Sequence, residues 1–272
     1  MFVDILPDGP ADDGIAYLNF YLEEDADKES ILRDVRNALE ELRTFMDIGE
    51  GTIEESETED KDWINNWKEF FHQFYVDDIL IVPSWEEVKE EDKDKMILHI
   101  DPGTAFGTGM HETTQLVIRQ LKKYVTRGAE ILDVGTGSGI LGITALKLGA
   151  GHVVGTDLDP CAVSAVQDNK EANQIEDDSF DMMIGNIIDD VEVQNEVGYE
   201  RYDIVAANIL ADVLVPLTPV IVHQMKKGAY YITSGILDVK EEVVREAVEK
   251  AGLTLVEVTK QGEWVCVTAR KD

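Results

Sequence analysis

Cysteine and long apolar runs are scarce in this chain. Its 272 residues include two cysteines, Cys161 and Cys266, which lie far apart and lack the spacing of metal ligands. This usage is typical of a reduced cytosolic protein without a structural metal. No apolar run reaches the roughly 18 residues that a membrane-spanning helix requires. Because no basic segment precedes an apolar one near Met1, a signal peptide is not expected either.

Basic residues are also few. Lys and Arg total 24 against 56 Asp and Glu, which gives a formal net charge of −32 at pH 7. Such a field repels the phosphate backbone of nucleic acids, so direct binding of RNA or DNA is not expected. The same field would speed encounter with a basic protein. High solubility, or adaptation to a salty or acid-rich environment, explains the charge equally well.

The strongest functional signal is a glycine-rich turn, residues 133–139 (DVGTGSG), between a strand-like run and a helix-like run. Gly135 and Gly137 predict a turn at which the backbone can approach a ligand that a Cβ would block. The helix start beyond it offers unpaired N–H groups and a positive dipole end. Asp157 closes the next apolar run and can accept hydrogen bonds from two ribose hydroxyls. The pattern predicts a site for an adenosine-containing cofactor.

The glycine spacing alone does not separate two cofactors. Residues 137–142 (GSGILG) fit the dinucleotide pattern GxGxxG, and Asp157 lies roughly where that pattern places its acid. Asp133, two positions before the first glycine, is instead typical of S-adenosylmethionine-dependent methyltransferases. A site in the interior of the chain is also less usual for an NAD-dependent dehydrogenase. A turn that only packs a helix against a strand is the alternative without a ligand.

The chain divides into three predicted regions. Residues 1–58 read as a small α+β domain, with a strand-like pattern at 14–22 and helical spacing at 27–46. Residues 59–94 form an aromatic-rich linker that includes a strand and turn at 79–85. Five aromatic side chains of the linker follow helical spacing and predict one packing face, with a binding surface as the alternative: Trp63, Trp67, Phe70, Phe71 and Phe74.

The third region, residues 95–272, alternates short apolar runs with helical segments, which indicates an α/β fold with an open parallel sheet and helices on both faces. The seven strand candidates are residues 130–134, 152–157, 182–184, 202–208, 229–234, 253–260 and 264–269. The last two are joined by a hairpin signal (QGE). A Rossmann-like seven-stranded sheet with a C-terminal antiparallel hairpin is typical of class I methyltransferases, whereas dehydrogenase sheets are usually all parallel. In this region Asp159 and Asp238 are predicted to cap helices.

A second glycine-rich loop precedes the first strand candidate. Residues 98–114 (LHIDPGTAFGTGMHETT) end in Thr113 and Thr114, whose hydroxyls can cap a helix or bond a carboxylate. We expect the part of this loop that contains Phe106 to close over the cofactor. His111 is a candidate base, although a histidine in a loop is more often a structural hydrogen-bond partner.

Asn208 ends the fourth strand candidate, within residues 203–210 (DIVAANIL). The carboxyl edge of an open α/β sheet holds the ligand crevice. An amide there can accept a hydrogen bond from a substrate amine, so Asn208 is predicted to orient that amine and to contact the cofactor. The alternative is a helix cap.

Together the three motifs closely resemble the PrmA family, which methylates ribosomal protein L-11 with S-adenosylmethionine. The resemblance covers about residues 60–272 and implies cofactor contacts at Thr114, Gly135, Asp157 and Asn208. It also implies transfer to lysine side chains and the N-terminal amine of L-11, and a ferredoxin-like N-terminal domain that grips this substrate. We expect a cytoplasmic monomer that binds neither metal nor membrane.

Two features depart from the family pattern. Glu112 stands where the family usually has proline, which affects the rigidity of the loop rather than the chemistry. The N-terminal unit reads as a truncated ferredoxin-like domain that lacks its first strand and helix, which weakens the prediction of substrate recognition. A methyltransferase for another protein or a small amine, an NAD-dependent oxidoreductase and a non-enzymatic binding module are the alternatives.

Overall fold

A computed structural model describes residues 28–44, 49, 51–53, 72–101 and 109–272. The chain divides into two compact units, Met1–Lys61 and Asp62–Asp272. In the first unit the structure describes one helix, α1 (Lys28–Leu42), which confirms the helical spacing but ends earlier than predicted. The strand-like residues 14–22 lie outside the described residues.

The described strands of the second unit form two sheets. A small sheet has the order β1-β2-β3 and consists of β1 (Phe74–Val76), β2 (Ile79–Val82) and β3 (Met96–His99). The large sheet has the order β6-β5-β4-β7-β8-β10-β9 and consists of β4 (Glu130–Val134), β5 (His152–Asp157), β6 (Phe180–Ile184), β7 (Tyr202–Asn208), β8 (Met225–Leu237), β9 (Leu253–Gln261) and β10 (Trp264–Lys271). Strands β4 to β8 are mutually parallel, and β10 runs antiparallel to both β8 and β9. The predicted seven strands and terminal hairpin are therefore confirmed.

Helices cover both faces of the large sheet. They are α2 (Glu112–Tyr124), α3 (Ile140–Lys147), α4 (Cys161–Ala172), α5 (Val191–Val197), α6 (Ala211–Ile221) and α7 (Glu241–Lys250). Because successive side chains of a strand point to opposite faces, Leu132 and Val205 join a core with α5, α6 and α7. Ile131 and Ile204 join a second core with α2, α3, α4 and the small sheet. None of the described helices is long and apolar enough to cross a membrane.

The prediction that Phe74 belongs to a helical face is wrong. Phe74 opens β1 and pairs with Ile81 of β2 across an antiparallel turn. That turn contains Asp77 at a φ of 55°. Strand pairing therefore overrides the helical spacing at this residue, and the four other aromatic residues of the predicted face lie outside the described residues.

The prediction that Asp238 caps a helix is also wrong. Asp238 lies in a single 3-10 turn, and α7 begins after it, at Glu241, without a side-chain cap. The main chain of Asp238 is already engaged, since its N–H donates to the carbonyl of Glu263 at 2.9 Å.

Candidate functional site

The glycine-rich turn connects β4 to α3. Gly135, Gly137 and Gly139 have φ values of 73°, 53° and 81°, in the left-handed region that favours glycine. A Cβ added at Gly135 would lie 2.5 Å from Cγ2 of Ile209, the residue that follows β7. The turn therefore lies close against the end of β7, as the carboxyl edge of a parallel sheet requires.

Asp157 is held against this turn. Its Oδ2 accepts a hydrogen bond from the N–H of Gly137 at 2.8 Å, and its Oδ1 accepts one from the N–H of Asp159 at 2.9 Å. Pro160 holds the N-cap position of α4, and Asp159, one residue earlier, accepts a hydrogen bond from the N–H of Cys161 at 2.9 Å, so the predicted cap lies one residue outside the cap position but still bonds the first N–H of the helix. Each carboxylate oxygen of Asp157 can accept a further hydrogen bond. The carboxylate thus has a fixed position and free acceptor capacity at the end of β5.

Asp133 is a buried acid beneath the turn. Its side chain is 0% exposed, and its Oδ2 accepts a hydrogen bond from the N–H of Gly142 in α3 at 3.0 Å. Its Oδ1 has no hydrogen-bond partner among the residues that the structure describes. Burial raises the pKa of this carboxyl to about 7, with a smaller rise from the charge of Asp157 and an opposing effect of the Gly142 N–H.

The structure brings Asn208 and Thr114 together. Nδ2 of Asn208, at the end of β7, donates to Oγ1 of Thr114 in α2 at 3.1 Å. Oδ1 of Asn208 is buried and is without a partner in the described ranges. The helix that follows β7 has Leu210 as its N-cap, so the alternative role of Asn208 as a cap is wrong.

His111 has a structural position at the start of α2. It is the N-cap residue, and its Nδ1 accepts a hydrogen bond from the N–H of Thr113 at 3.3 Å. Its ring packs edge-on against Trp264 of β10, with ring centroids 4.7 Å apart. These contacts fit the structural alternative stated for His111, and they also show that neither threonine is the cap.

The second glycine-rich loop is described only at its ends. Phe106 lies outside the described residues. At the far end of the loop, a Cβ added at Gly109 would lie 2.6 Å from Cδ1 of Ile140, the first residue of α3. The loop therefore ends directly beside the helix that follows the glycine-rich turn.

Two asparagines that were not predicted from the sequence form hydrogen bonds with the backbone at the start of this loop. Asn169 of α4 is 1% exposed; its Oδ1 accepts from the N–H of Asp101 at 2.8 Å, and its Nδ2 donates to the carbonyls of Asp101 and Ser138 at 3.0 and 2.8 Å. Asn173, one turn later, bonds the N–H and carbonyl of His99 in the same way. Their spacing of four residues, which places both on one side of a helix, is the signal that the sequence offers.

Exposed apolar side chains lie next to Asp157. Leu158, which follows it directly, is 69% exposed, and Ile184 pairs with Asp157 across β5 and β6. An apolar surface beside a carboxylate that can accept hydrogen bonds from ribose hydroxyls can accommodate a purine ring. These two residues are further candidates for cofactor contact, and the sequence reading missed them because single exposed apolar residues are common.

A family model described as ribosomal protein L11 methyltransferase (PrmA) matches residues 10–272 of this chain. The chain belongs to this family. Proteins named ribosomal protein L11 methyltransferase from Lachnospira eligens and Agathobacter rectalis are 58% and 55% identical to it, over 100% of the chain and 86% and 85% of their own lengths.

Solved structures agree with the family assignment. A ribosomal protein L11 methylase from Lactobacillus delbrueckii subsp. bulgaricus matches with a TM-score of 0.66 and 31% identity, over 74% of this chain and 100% of that chain. A putative methyltransferase complexed with SAH matches in fold, with a TM-score of 0.53 and 11% identity, over 71% of this chain and 69% of that chain. The predicted family, fold class and S-adenosylmethionine-dependent methyltransferase activity are thereby confirmed.

The described residues of this PrmA-family site fit S-adenosylmethionine. Asp157 offers a fixed carboxylate for ribose hydroxyls. Gly135, at a φ of 73°, gives the turn a left-handed conformation that a side chain would strain. Oδ1 of Asp133 and Oδ1 of Asn208 are buried acceptors that have no partner in the described part of the chain. Since a buried acceptor without a partner costs free energy, both atoms suit a ligand that carries positive charge and N–H donors.

Proposed function

We propose that this chain transfers methyl groups from S-adenosylmethionine to amino groups of ribosomal protein L11, on lysine side chains and the N-terminal amine. The observation that carries the proposal is the buried Oδ1 of Asn208, which lacks a described partner at the carboxyl edge of β7. An acceptor at that position can take an N–H from an incoming amine. The names of the relatives identify L11 as the protein that those relatives methylate.

The bound cofactor supplies a methyl group on a positively charged sulfur, and transfer is an in-line displacement. The tasks of the protein are to align the amine and to keep it neutral. A lysine amine has a pKa of about 10.4 in water, and an apolar environment lowers that pKa because it disfavours the charged form. In the proposal, Oδ1 of Asn208 accepts one N–H of the amine and directs its lone pair, and no dedicated protein base is required.

In this proposal the remaining site residues bind the cofactor or position Asn208. Asp157 binds the ribose, and the backbone at Gly135 and Gly137 lies against the methionine portion. Thr114 fixes the amide of Asn208 through their 3.1 Å hydrogen bond and borders the cofactor. Phe106 contributes to a loop that covers the cofactor; this part of the proposal rests on the sequence alone.

The proposed division of labour follows the predicted domains. Residues 1–58 recognise L11, and residues 95–272 bind the cofactor and perform the transfer. Residues 59–94 connect these two regions. The formal net charge of −32 supports a basic protein as the partner, rather than free nucleic acid. We further propose that the chain acts as a monomer in the cytoplasm.

The direct test is transfer to purified L11. The protein is incubated with recombinant L11 and S-adenosylmethionine labelled on its methyl group, and the products are mapped by mass spectrometry. Methylated lysines and a methylated N-terminus are expected, and a reaction without the enzyme serves as the negative control. Transfer to other proteins or small amines, but not to L11, would reject the substrate while retaining the methyltransferase activity.

A further inference from the structure

An exposed apolar surface lies beside Asn208. We call it the apolar shelf, and it consists of Leu210, Val213, Leu237, Val239 and Val243. Leu210 is 59% exposed and Val239 is 82% exposed. Exposed apolar side chains gathered on neighbouring segments can mark an interaction site.

The ends of β7 and β8, from which two parts of the shelf begin, are in direct backbone contact. Asn208 pairs with Ser234, and the N–H of Ile209 donates to the carbonyl of Ser234 at 3.2 Å. A Cβ added at Gly235 would clash with the carbonyl of Ile209, so the two backbones lie in direct contact. Leu210 and Leu237 follow within two residues of this contact, so both leucines lie on the segments that leave the carboxyl edge of the sheet beside Asn208.

An ion pair joins the two helical parts of the shelf. Nζ of Lys240 lies 3.0 Å from Oδ1 of Asp212, which connects the start of α6 to the 3-10 turn before α7. Val213 follows Asp212, and Val239 precedes Lys240. The shelf therefore runs from the end of β7 across the starts of both helices.

The shelf residues are not needed to pack their own helices. The inward face of α6 is already apolar and fully buried through Leu214 and Leu217, and that of α7 through Val244 and Val248. Exposed valines at the outer positions of both helices are therefore surplus to the core.

Acidic side chains surround the shelf. Asp212, Asp238, Glu242 and Glu263 are exposed. Lys240 is paired with Asp212 and Arg245 with Glu242, whereas Asp238 and Glu263 have no ion pair among the described residues. A segment that binds here would combine apolar side chains with positive charge, because both features complement the surface.

We propose that the apolar shelf docks the segment of the protein substrate that flanks the methylated amine, and that this segment is basic with at least one apolar side chain near the target. This inference rests on the proposed function. The shelf starts two residues beyond Asn208, so a segment seated on it can present an amine to Oδ1 of that residue. Docking there would add affinity for the protein substrate without touching the cofactor.

The first test uses the double variant Val239→Ser/Val243→Ser. We expect its KM for L11 to rise by about tenfold, the effect of losing about 1.4 kcal/mol, while kcat and the affinity for S-adenosylhomocysteine stay unchanged. Val256→Ser, an exposed valine on the edge strand β9, is the matched control and should leave every parameter unchanged. Circular dichroism checks that both variants fold.

The second test concerns the acidic rim. Glu242→Gln should raise KM for L11 about threefold at low salt and weaken its dependence on salt, since one attractive charge is lost. Glu249→Gln, exposed at the other end of the same helix, should change neither.

The outcomes separate the two proposals. If the wild-type protein methylates no L11, the proposed function is rejected, and the docking proposal with it. If the wild-type protein methylates L11 and the double variant has a KM within twofold of wild type, only the docking proposal is rejected. A dimer of the wild-type protein that disappears in the double variant on sedimentation would assign the shelf to a second copy of the chain and overturn the proposal.

Discussion

Nδ2 of Asn208 donates a hydrogen bond to Oγ1 of Thr114 over 3.1 Å, and this bond joins the end of β7 to the first turn of α2. The two residues are separated by more than ninety positions in the chain. The contact determines which end of the amide is engaged. Oδ1 is thereby left without a partner among the described residues, and it is the atom that we propose accepts a hydrogen bond from the substrate amine.

A variant that lacks Oδ1 of Asn208 should therefore lose turnover rate more than it loses affinity for the cofactor. We expect Asn208→Ala to lower kcat by at least tenfold, because one oriented hydrogen bond contributes about 0.5–1.5 kcal/mol and misalignment adds to that loss. Affinity for S-adenosylhomocysteine, measured by calorimetry, should change by less than threefold. Full turnover by this variant would reject the role in orientation.

Loss of the Thr114 hydroxyl, which accepts a hydrogen bond from the amide of Asn208, should also lower kcat, but by a smaller factor. Thr114→Val keeps the shape of the side chain but removes the acceptor for Nδ2 of Asn208, which is expected to lower kcat about threefold to tenfold. Thr114→Ser retains the hydroxyl and should keep most of the activity. Equal activity of the valine and serine variants in a steady-state assay would contradict the proposed holding role.

Asp157 should determine affinity for the cofactor. Asp157→Ala removes the ribose acceptor and also leaves the N–H of Gly137 without its 2.8 Å bond. Because a hydrogen bond to a charged group contributes about 1.5–3 kcal/mol, we expect S-adenosylhomocysteine to bind roughly 10–100-fold more weakly. Asp159→Asn, which alters the neighbouring cap of α4, is the control. Unchanged affinity of Asp157→Ala by calorimetry would reject the ribose assignment.

The buried Asp133 should make stability depend on pH. Its pKa rises from 3.8 to about 7 on folding, so between these values the folded chain holds a proton that the unfolded chain releases. The free energy of unfolding therefore falls as pH rises through this window. Since each pKa unit corresponds to about 1.4 kcal/mol, the loss from this group is on the order of 4 kcal/mol.

Asp133→Asn, which is neutral at every pH, isolates this effect. Urea unfolding at pH 5 and pH 8 should show the variant gaining stability relative to wild type as pH rises. Asp178→Asn, at an exposed position, should track wild type at both values. A stability difference between Asp133→Asn and wild type that does not change with pH would show that this carboxyl does not titrate in the window.

Replacement of Asn169 should lower both the free energy of unfolding and the apparent affinity for the cofactor. Asn169→Ala leaves the N–H and carbonyl of Asp101 and the carbonyl of Ser138 without their side-chain partner. We expect a loss of about 2–4 kcal/mol of unfolding free energy, together with a raised KM for S-adenosylmethionine and little change in KM for L11. Gln167→Ala, exposed on the same helix, is the control. An unchanged KM for the cofactor would limit Asn169 to a structural role.

The sequence predicts structure well where the conformation of a segment depends on its own residues. The alternation of apolar runs predicted all seven strands of the large sheet, and the QGE turn predicted the hairpin of β9 and β10. Gly135 and Gly137 take the positive φ values that their turn requires. These features follow from backbone sterics and side-chain periodicity over a few residues.

Features that depend on contacts between distant segments were missed or misread. Phe74 fits a helical stripe by spacing, but pairing with Ile81 makes it part of a strand. His111 was considered as a base, whereas its neighbours in space, Thr113 and Trp264, hold it as a cap and packing residue. Asp133 is recognisable in the sequence only as part of the glycine-rich motif, whereas its complete burial follows from tertiary packing.

The sequence by itself determined the family, the order of strands and helices along the chain, and the residue types at the cofactor turn, because those depend on local pattern and on motifs. Only the tertiary structure decided which side chains meet: Asn208 with Thr114, Asn169 with Ser138, and the exposed apolar shelf with its acidic rim. Such pairings depend on strand order and helix packing, which bring together residues far apart in the chain, and no local pattern encodes them.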